Sequence, residues 1–188
     1  MLFLALTLAL AVECPATVSE VDGLDPTDTR WADTVLVVQK ESRQLGVYRN
    51  GTLVVDACWH VALAAGYVPG HKQRRGDLRT PEGWSRISDR PWSQFYSALS
   101  VHYPDAEDAA RGLKAGLIDQ AQHDAVVAAD RKGSLPPRTT RLGGDIVIHG
   151  GGGRSDWTLG CVGMEDDEID ALRLLLPDNK RGWVLIVP

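Results

Sequence analysis

Residues 145–161, DIVIHGGGGRSDWTLGC, constrain the fold more tightly than any other stretch of the chain. Asp145 to Ile148 is a short β-branched run with Gly143 and Gly144 before it and Gly150 to Gly153 after it, which predicts a buried strand with His149 at its tip. Glycine tolerates backbone angles closed to other residues, so the chain can double back and return Cys161 to the strand tip. Beyond Cys161, the acids of Glu165 to Glu168 predict the first turn of a helix, where they favour its dipole.

That placement suits nucleophilic chemistry. The thiolate is the form of cysteine that attacks a carbonyl carbon, and an imidazole beside the thiol can take its proton. His149 is the candidate proton acceptor and donor, and Cys161 the candidate nucleophile. The backbone carbonyl of Gly150 is the nearest group able to hold the other ring nitrogen. Backbone N–H groups at Gly160 and Cys161 are candidates for an oxyanion hole, which needs close approach with no side chain in the way. The glycine run is not a phosphate loop, because neither the Gly-Lys-Ser/Thr ending nor a βαβ dinucleotide unit accompanies it.

HGGGGRSDWTLGCVGM resembles the signature of the L,D-transpeptidase catalytic domain family of the YkuD type, with His149, Gly150, Thr158, Gly160 and Cys161 on its pattern. GHKQRRGDLRTPEGW, residues 70–84, is similar to the GDxRTPEG segment of the same family. The resemblance covers roughly residues 33–188 and departs at Leu159, where many members carry a second histidine. It departs again at Gly163 and Met164, which replace the usual Arg or Asn. With the long insertion before His149, these changes look more like the murein-trimming subgroup of transpeptidases and hydrolases. The resemblance implies a cysteine-dependent acyltransferase that forms an acyl-enzyme with peptidoglycan stem peptides and cross-links them. The alternatives are an L,D-carboxypeptidase or amidase cutting stems or their lipoprotein link, and a catalytically degenerate wall-binding module. No metal or cofactor is expected. The loop at 70–84 is expected near the substrate cleft, with Lys72, Arg79 and Glu82 as contacts to charged groups. Arg154, Trp157 and Thr158 complete the expected substrate-binding set.

The chain of 188 residues suits one domain, and an apolar share of 44% is enough for a sizeable core. A net charge of -5 with the two signs interspersed leaves no basic stripe for nucleic acid. Residues 2–12, LFLALTLALAV, have the length of a secretory hydrophobic region and are short for a membrane span. Export to the periplasm or cell envelope is therefore expected, with cleavage near Ala16, retention as a membrane anchor or lipidation at Cys14 as the open fates. Residues 1–16 are read as this signal-like segment, 17–32 as a linker and 33–188 as the catalytic domain.

Within the domain, TVLVVQ, QLGVYR and TLVVDACWHVAL predict a β-meander, with Asn50-Gly51 as a tight hairpin turn. Cys58 lies among valines and alanine and is expected to be a small buried hydrophobe, although a Cys58–Cys161 disulfide is also permitted. His60 is expected half-buried and His71 solvated, and neither has metal-ligand spacing. Trp84 to Ile87 and Phe95 to His102 predict further strands. A helical insertion follows at about 105–133, its alanine-rich stripe closed by Gly133, and suits a cover over a cleft. Arg138 and Arg141, on the Pro- and Gly-rich return, are available to an anionic substrate. The expected architecture is mainly β: a sandwich-like or barrel-like sheet of mixed strands with a helical insertion and a C-terminal helix and strand.

Overall fold

A computed structural model of the chain describes residues 13–188, and the apolar segment 2–12 lies outside them. Eight strands form one mixed sheet: β1 (Thr34–Gln39), β2 (Gln44–Arg49), β3 (Thr52–His60), β4 (Gly83–Ser93), β5 (Tyr96–Val101), β6 (Val147–His149), β7 (Val162–Gly163) and β8 (Gly182–Val187). Three α-helices accompany them: α1 (Ala106–Lys114), α2 (Gln120–Lys132) and α3 (Asp166–Leu175).

The hairpin between β2 and β3 turns on Asn50 and Gly51, both left-handed, as a two-residue turn of this kind requires. β1 carries four consecutive apolar residues because both of its faces are covered and both edges are paired, antiparallel to β2 and parallel to β8. The strand order is β3-β2-β1-β8-β4-β5-β6-β7. The chain leaving β3 then crosses to the far edge, where Ala62 bridges Gly163 and Ala64 bridges Thr158. Those bridges tie the two ends of the sheet together and give it a barrel-like closure. Leu36, Val38, Leu99 and Ile148 share one core with Ile169 and Leu172 of α3.

In the insertion, Asp105 caps α1 and Asp119 caps α2, each accepting a backbone N–H 2.8 Å away, and Gly133 ends α2 in the left-handed conformation. The helix pair has a small core of its own, made by Ala109, Ile118, Val126 and Leu142. His71 is not solvated: its Nε2 lies 2.6 Å from the buried Asp108 of α1, and its Nδ1 accepts the Glu82 N–H at 3.0 Å. This pins the insertion to the 70–82 loop.

Two expectations about the N-terminal part are corrected. Residues 17–32 are packed rather than spanning open solvent, with Val18 and Trp31 buried against Val35, Val37 and Tyr48. Leu53 N–H donates to the Ala16 carbonyl, and Val18 N–H to that of Gly51. The sparse apolar residues of this segment show no period, which hid their burial at the level of sequence. Cys58 is neither a free hydrophobe nor bonded to Cys161: it forms a disulfide with Cys14, with a Cα–Cα distance of 5.8 Å. The sulfur of Cys14 is thereby occupied, so this form of the chain excludes its lipidation, and a chain cut near Ala16 would lack the bridge. No helix among the described residues is long and apolar enough to cross a membrane.

Candidate active site

Strand β6 delivers His149 into the interior, where the residue is 1% exposed. Its ring stacks on Phe95 at 4.7 Å between centroids and meets Trp157 edge-on at 5.4 Å. Nδ1 lies 2.6 Å from the carbonyl oxygen of Gly150. Because a carbonyl only accepts, Nδ1 carries the hydrogen and Nε2 presents a lone pair. Gly150 itself cannot carry a side chain, since a Cβ there would sit 2.5 Å from the Asp166 carboxylate at the start of α3. Trp157 is held in turn by its Nε1–H, which donates to Gly152 at 2.9 Å.

Cys161 stands just before β7, which pairs in parallel with β6, Ile148 opposite Val162 and His149 opposite Gly163. Cys161 lies in the bend that leads into this ladder, two residues before the partner of His149. Cys161 and His149 line one cavity of about 600 Å³, together with Arg90, Phe95, Trp157 and Leu159. Cys161 is free and half-buried, and its thiol donates to the Asp145 carbonyl across 3.8 Å. Gly160, at a φ of +123°, is pressed onto the Arg79 carbonyl, which a Cβ would approach to 2.8 Å.

Burial pushes the Cys161 thiol above its ordinary pKa, with the Val147 backbone N–H pulling the other way. Burial likewise pushes the His149 imidazole below its ordinary value, partly offset by the bond to Gly150. The resting pair is therefore a neutral thiol and a neutral imidazole rather than an ion pair. With Cys14 and Cys58 bonded to each other, Cys161 is the one free thiol among the described residues. Its alkylation by iodoacetamide is expected to keep climbing through and beyond the ordinary thiol range, about pH 8.5. A rate already level below about pH 7 would reveal a preformed thiolate and overturn the neutral pair.

Of the residues expected to bind substrate, Trp157 and Thr158 line the cavity. Thr158 is buried, and its hydroxyl is engaged in the loop, donating to the Cys161 carbonyl at 2.8 Å and accepting the Gly160 N–H at 3.3 Å. Arg154 points elsewhere, to Glu168 at 3.1 Å and Glu165 at 3.6 Å on the start of α3. Arg79 supports the Gly160 backbone and is absent from the cavity lining. Lys72 is buried against Asp77 at 2.7 Å, and Glu82 meets Lys40. Phe95, Arg90 and Asp145 were not foreseen as neighbours of the thiol. Phe95 announced itself in sequence only as one aromatic in a hairpin rich in them. Among the described residues, no group of three or more His, Cys, Asp or Glu is placed to hold a metal.

A free thiol and an imidazole of fixed tautomer in one cavity of a curled mixed sheet define a site of the cysteine–histidine class. The chain belongs to the YkuD family, the L,D-transpeptidase catalytic domain, whose family model matches residues 33–184. YafK of Escherichia coli (strain K12) is 38% identical over 48 residues, which are 24% of this chain and 20% of that protein. The crystal structure of the helical cell shape determining protein Pgp2 from Campylobacter jejuni superposes with a TM-score of 0.55 at 21% identity. That match covers 82% of this chain and 47% of Pgp2, and at such identity it speaks for the fold. The chain thus spans about half the length of Pgp2 and a fifth of YafK.

Proposed function

We propose that this protein is a cysteine-dependent peptidoglycan L,D-transpeptidase. The observation that carries the reading is the fixed tautomer of His149, with Nε2 left as a base in the cavity that also holds the Cys161 thiol. Cys161 Sγ attacks the carbonyl of the diamino acid in a stem peptide as Nε2 takes the thiol proton. The C–N bond of the tetrahedral intermediate then breaks, Nε2 returns the proton to the departing amine, and a thioester remains. An amine from a second stem attacks that thioester and gives its proton to Nε2; the C–S bond then breaks, Nε2 returns the proton to the departing sulfur, and the new amide leaves behind the neutral thiol and imidazole. We assign the Gly160 N–H to the oxyanion, for which it need give up only its long 3.3 Å bond to Thr158. Phe95 and Trp157 keep water from the imidazole.

The Cys14–Cys58 disulfide supports an oxidising compartment and hence a working place in the cell envelope. The test is mass spectrometry of muropeptides after incubation with the protein. Linked pairs of diamino acids are the expected product. Shortened stems alone would move the assignment to a hydrolase, and unchanged muropeptides together with retention on sacculi would leave a wall-binding module.

A further inference from the structure

A cavity of about 370 Å³ lies where the end of α2, the start of β4 and the loop before β8 meet. Four cations line it, Arg86, Arg131, Lys132 and Arg181, against the single carboxylate of Asp33. Elsewhere Arg43 and Arg173 each meet an acid at 2.7 Å, whereas none of these four forms an ion pair among the described residues. A net charge of -5 makes such a gathering no by-product of composition. Arg131 and Lys132 suit the negative end of the α2 dipole. Arg86 and Arg181 have no helix to serve, since one lies on β4 and the other just before β8.

The cavity is built as well as charged. Arg86 stands opposite Trp183 across the β4–β8 pairing, and its guanidinium lies over that ring, 4.3 Å from the centroid, which holds the fork in place. His102, 9% exposed, lines the same cavity, and its backbone N–H donates to the Arg86 carbonyl at 2.9 Å. Its Nε2 lies 2.9 Å from the Ser88 hydroxyl, while Nδ1 is buried with no hydrogen-bond partner. Burial, followed by Arg181 and Arg86, pushes the His102 pKa down to about 4, against opposing pulls from Asp130 and the Ser134 backbone, so the ring is neutral at pH 7. With the Ser88 hydroxyl donating to Nε2, the ring hydrogen sits on Nδ1. An orphaned polar atom in a wall of unpaired cations is a cost that an incoming acceptor relieves.

The cations arrive from three elements. A planar carboxylate cannot answer all of them, whereas the oxygens of a phosphate point in tetrahedral directions and carry up to two charges. We propose that this cavity binds a phosphate monoester or diphosphate group, held by Arg86 and Arg181, with Arg131 and Lys132 around it and the His102 ring as a further donor. It shares no lining residue with the Cys161 cavity. Arg86 precedes Arg90, which lines that other cavity, by four residues of β4, about 13 Å of strand. The site is therefore independent of the reaction at Cys161.

The test titrates the protein with inorganic diphosphate, phosphate and acetate at constant ionic strength, following the His102 ring by NMR and the affinity by calorimetry. Saturable binding of one diphosphate per chain is expected, roughly tenfold or more tighter than acetate. Arg86→Gln and Arg181→Gln should each weaken it roughly tenfold, the scale of one charge-assisted contact. Arg131→Gln, at the exposed end of α2, should weaken it as well without touching the sheet, which separates a lost contact from a lost fold. Lys114→Gln removes an exposed charge of α1 and should leave the affinity unchanged. A shift that never saturates, equal affinities for acetate and diphosphate, or the same loss in Lys114→Gln as in Arg181→Gln would overturn the proposal. Vesicles of phosphatidylcholine with and without phosphatidic acid then identify the carrier of the group. Retention only on phosphatidic acid, lost in Arg181→Gln, assigns a lipid headgroup, and saturation by diphosphate without retention assigns a soluble ligand.

Discussion

The Cys161→Ala protein is expected to stay folded and to lose all covalent labelling by a carbapenem, whose strained carbonyl would otherwise acylate the sulfur. Acylation should fall by roughly four to six orders of magnitude, the scale on which a lone nucleophile carries its reaction. The fold should survive because the sulfur is half-buried and makes one long bond, to the Asp145 carbonyl. Replacing it leaves His149 between Phe95 and Trp157 with its bond to Gly150 intact. A stability change within about 1 kcal/mol follows. Intact-mass measurement with and without the drug, beside a thermal melt, checks both halves. Persistent labelling of the substituted protein would place the nucleophile at another residue.

Breaking the Cys14–Cys58 bridge is expected to have the largest effect on stability. The bridge spans 44 residues of sequence and closes a loop whose freedom in the unfolded chain is otherwise large. For a loop of that length the chain-entropy relation gives about 4 kcal/mol. The loop contains β1 and β2, which supply much of the buried apolar surface of the first half of the domain. Cys14→Ser should therefore lower the melting temperature by many degrees. Adding reductant should lower the unsubstituted protein to the same point and leave the variant unmoved. If reductant shifts neither, the two sulfurs are not joined in solution and the oxidising compartment loses its support.

Much of the fold is visible in the sequence where the cause is local. The β1–β2–β3 meander follows from β-branched runs and Asn50-Gly51, and the insertion follows from Asp105, Asp119 and Gly133, whose capping chemistry depends on neighbours three or four residues away. Strand β7, only two residues long, was invisible because its existence depends wholly on pairing with β6 and with Ala62. Cys58 was misjudged for the same reason: its partner lies outside any local window. The strand tip at His149 and the loop of Cys161 were legible from glycine placement. The direction of long side chains was not. Arg154 and Lys72 resembled substrate contacts until the acids they meet, Glu168 and Asp77, came into view. Asp145 was read only as the start of a strand, and nothing in its sequence context announced a carboxylate held between two arginines.

The bridges from Ala62 and Ala64 to the Cys161 loop have a consequence for how other molecules can engage this one. At the opposite margin, residues 16–18 cover only the start of β3, where Thr17 bridges Thr52 and the Leu53 N–H donates to the Ala16 carbonyl. At the Cys161 end the free side of β7 is taken, since Ala62 and Gly163 exchange both backbone hydrogen bonds there. An extended peptide therefore cannot join β7 as a further strand, and at this end of the sheet it meets the molecule through side chains rather than through a shared ladder.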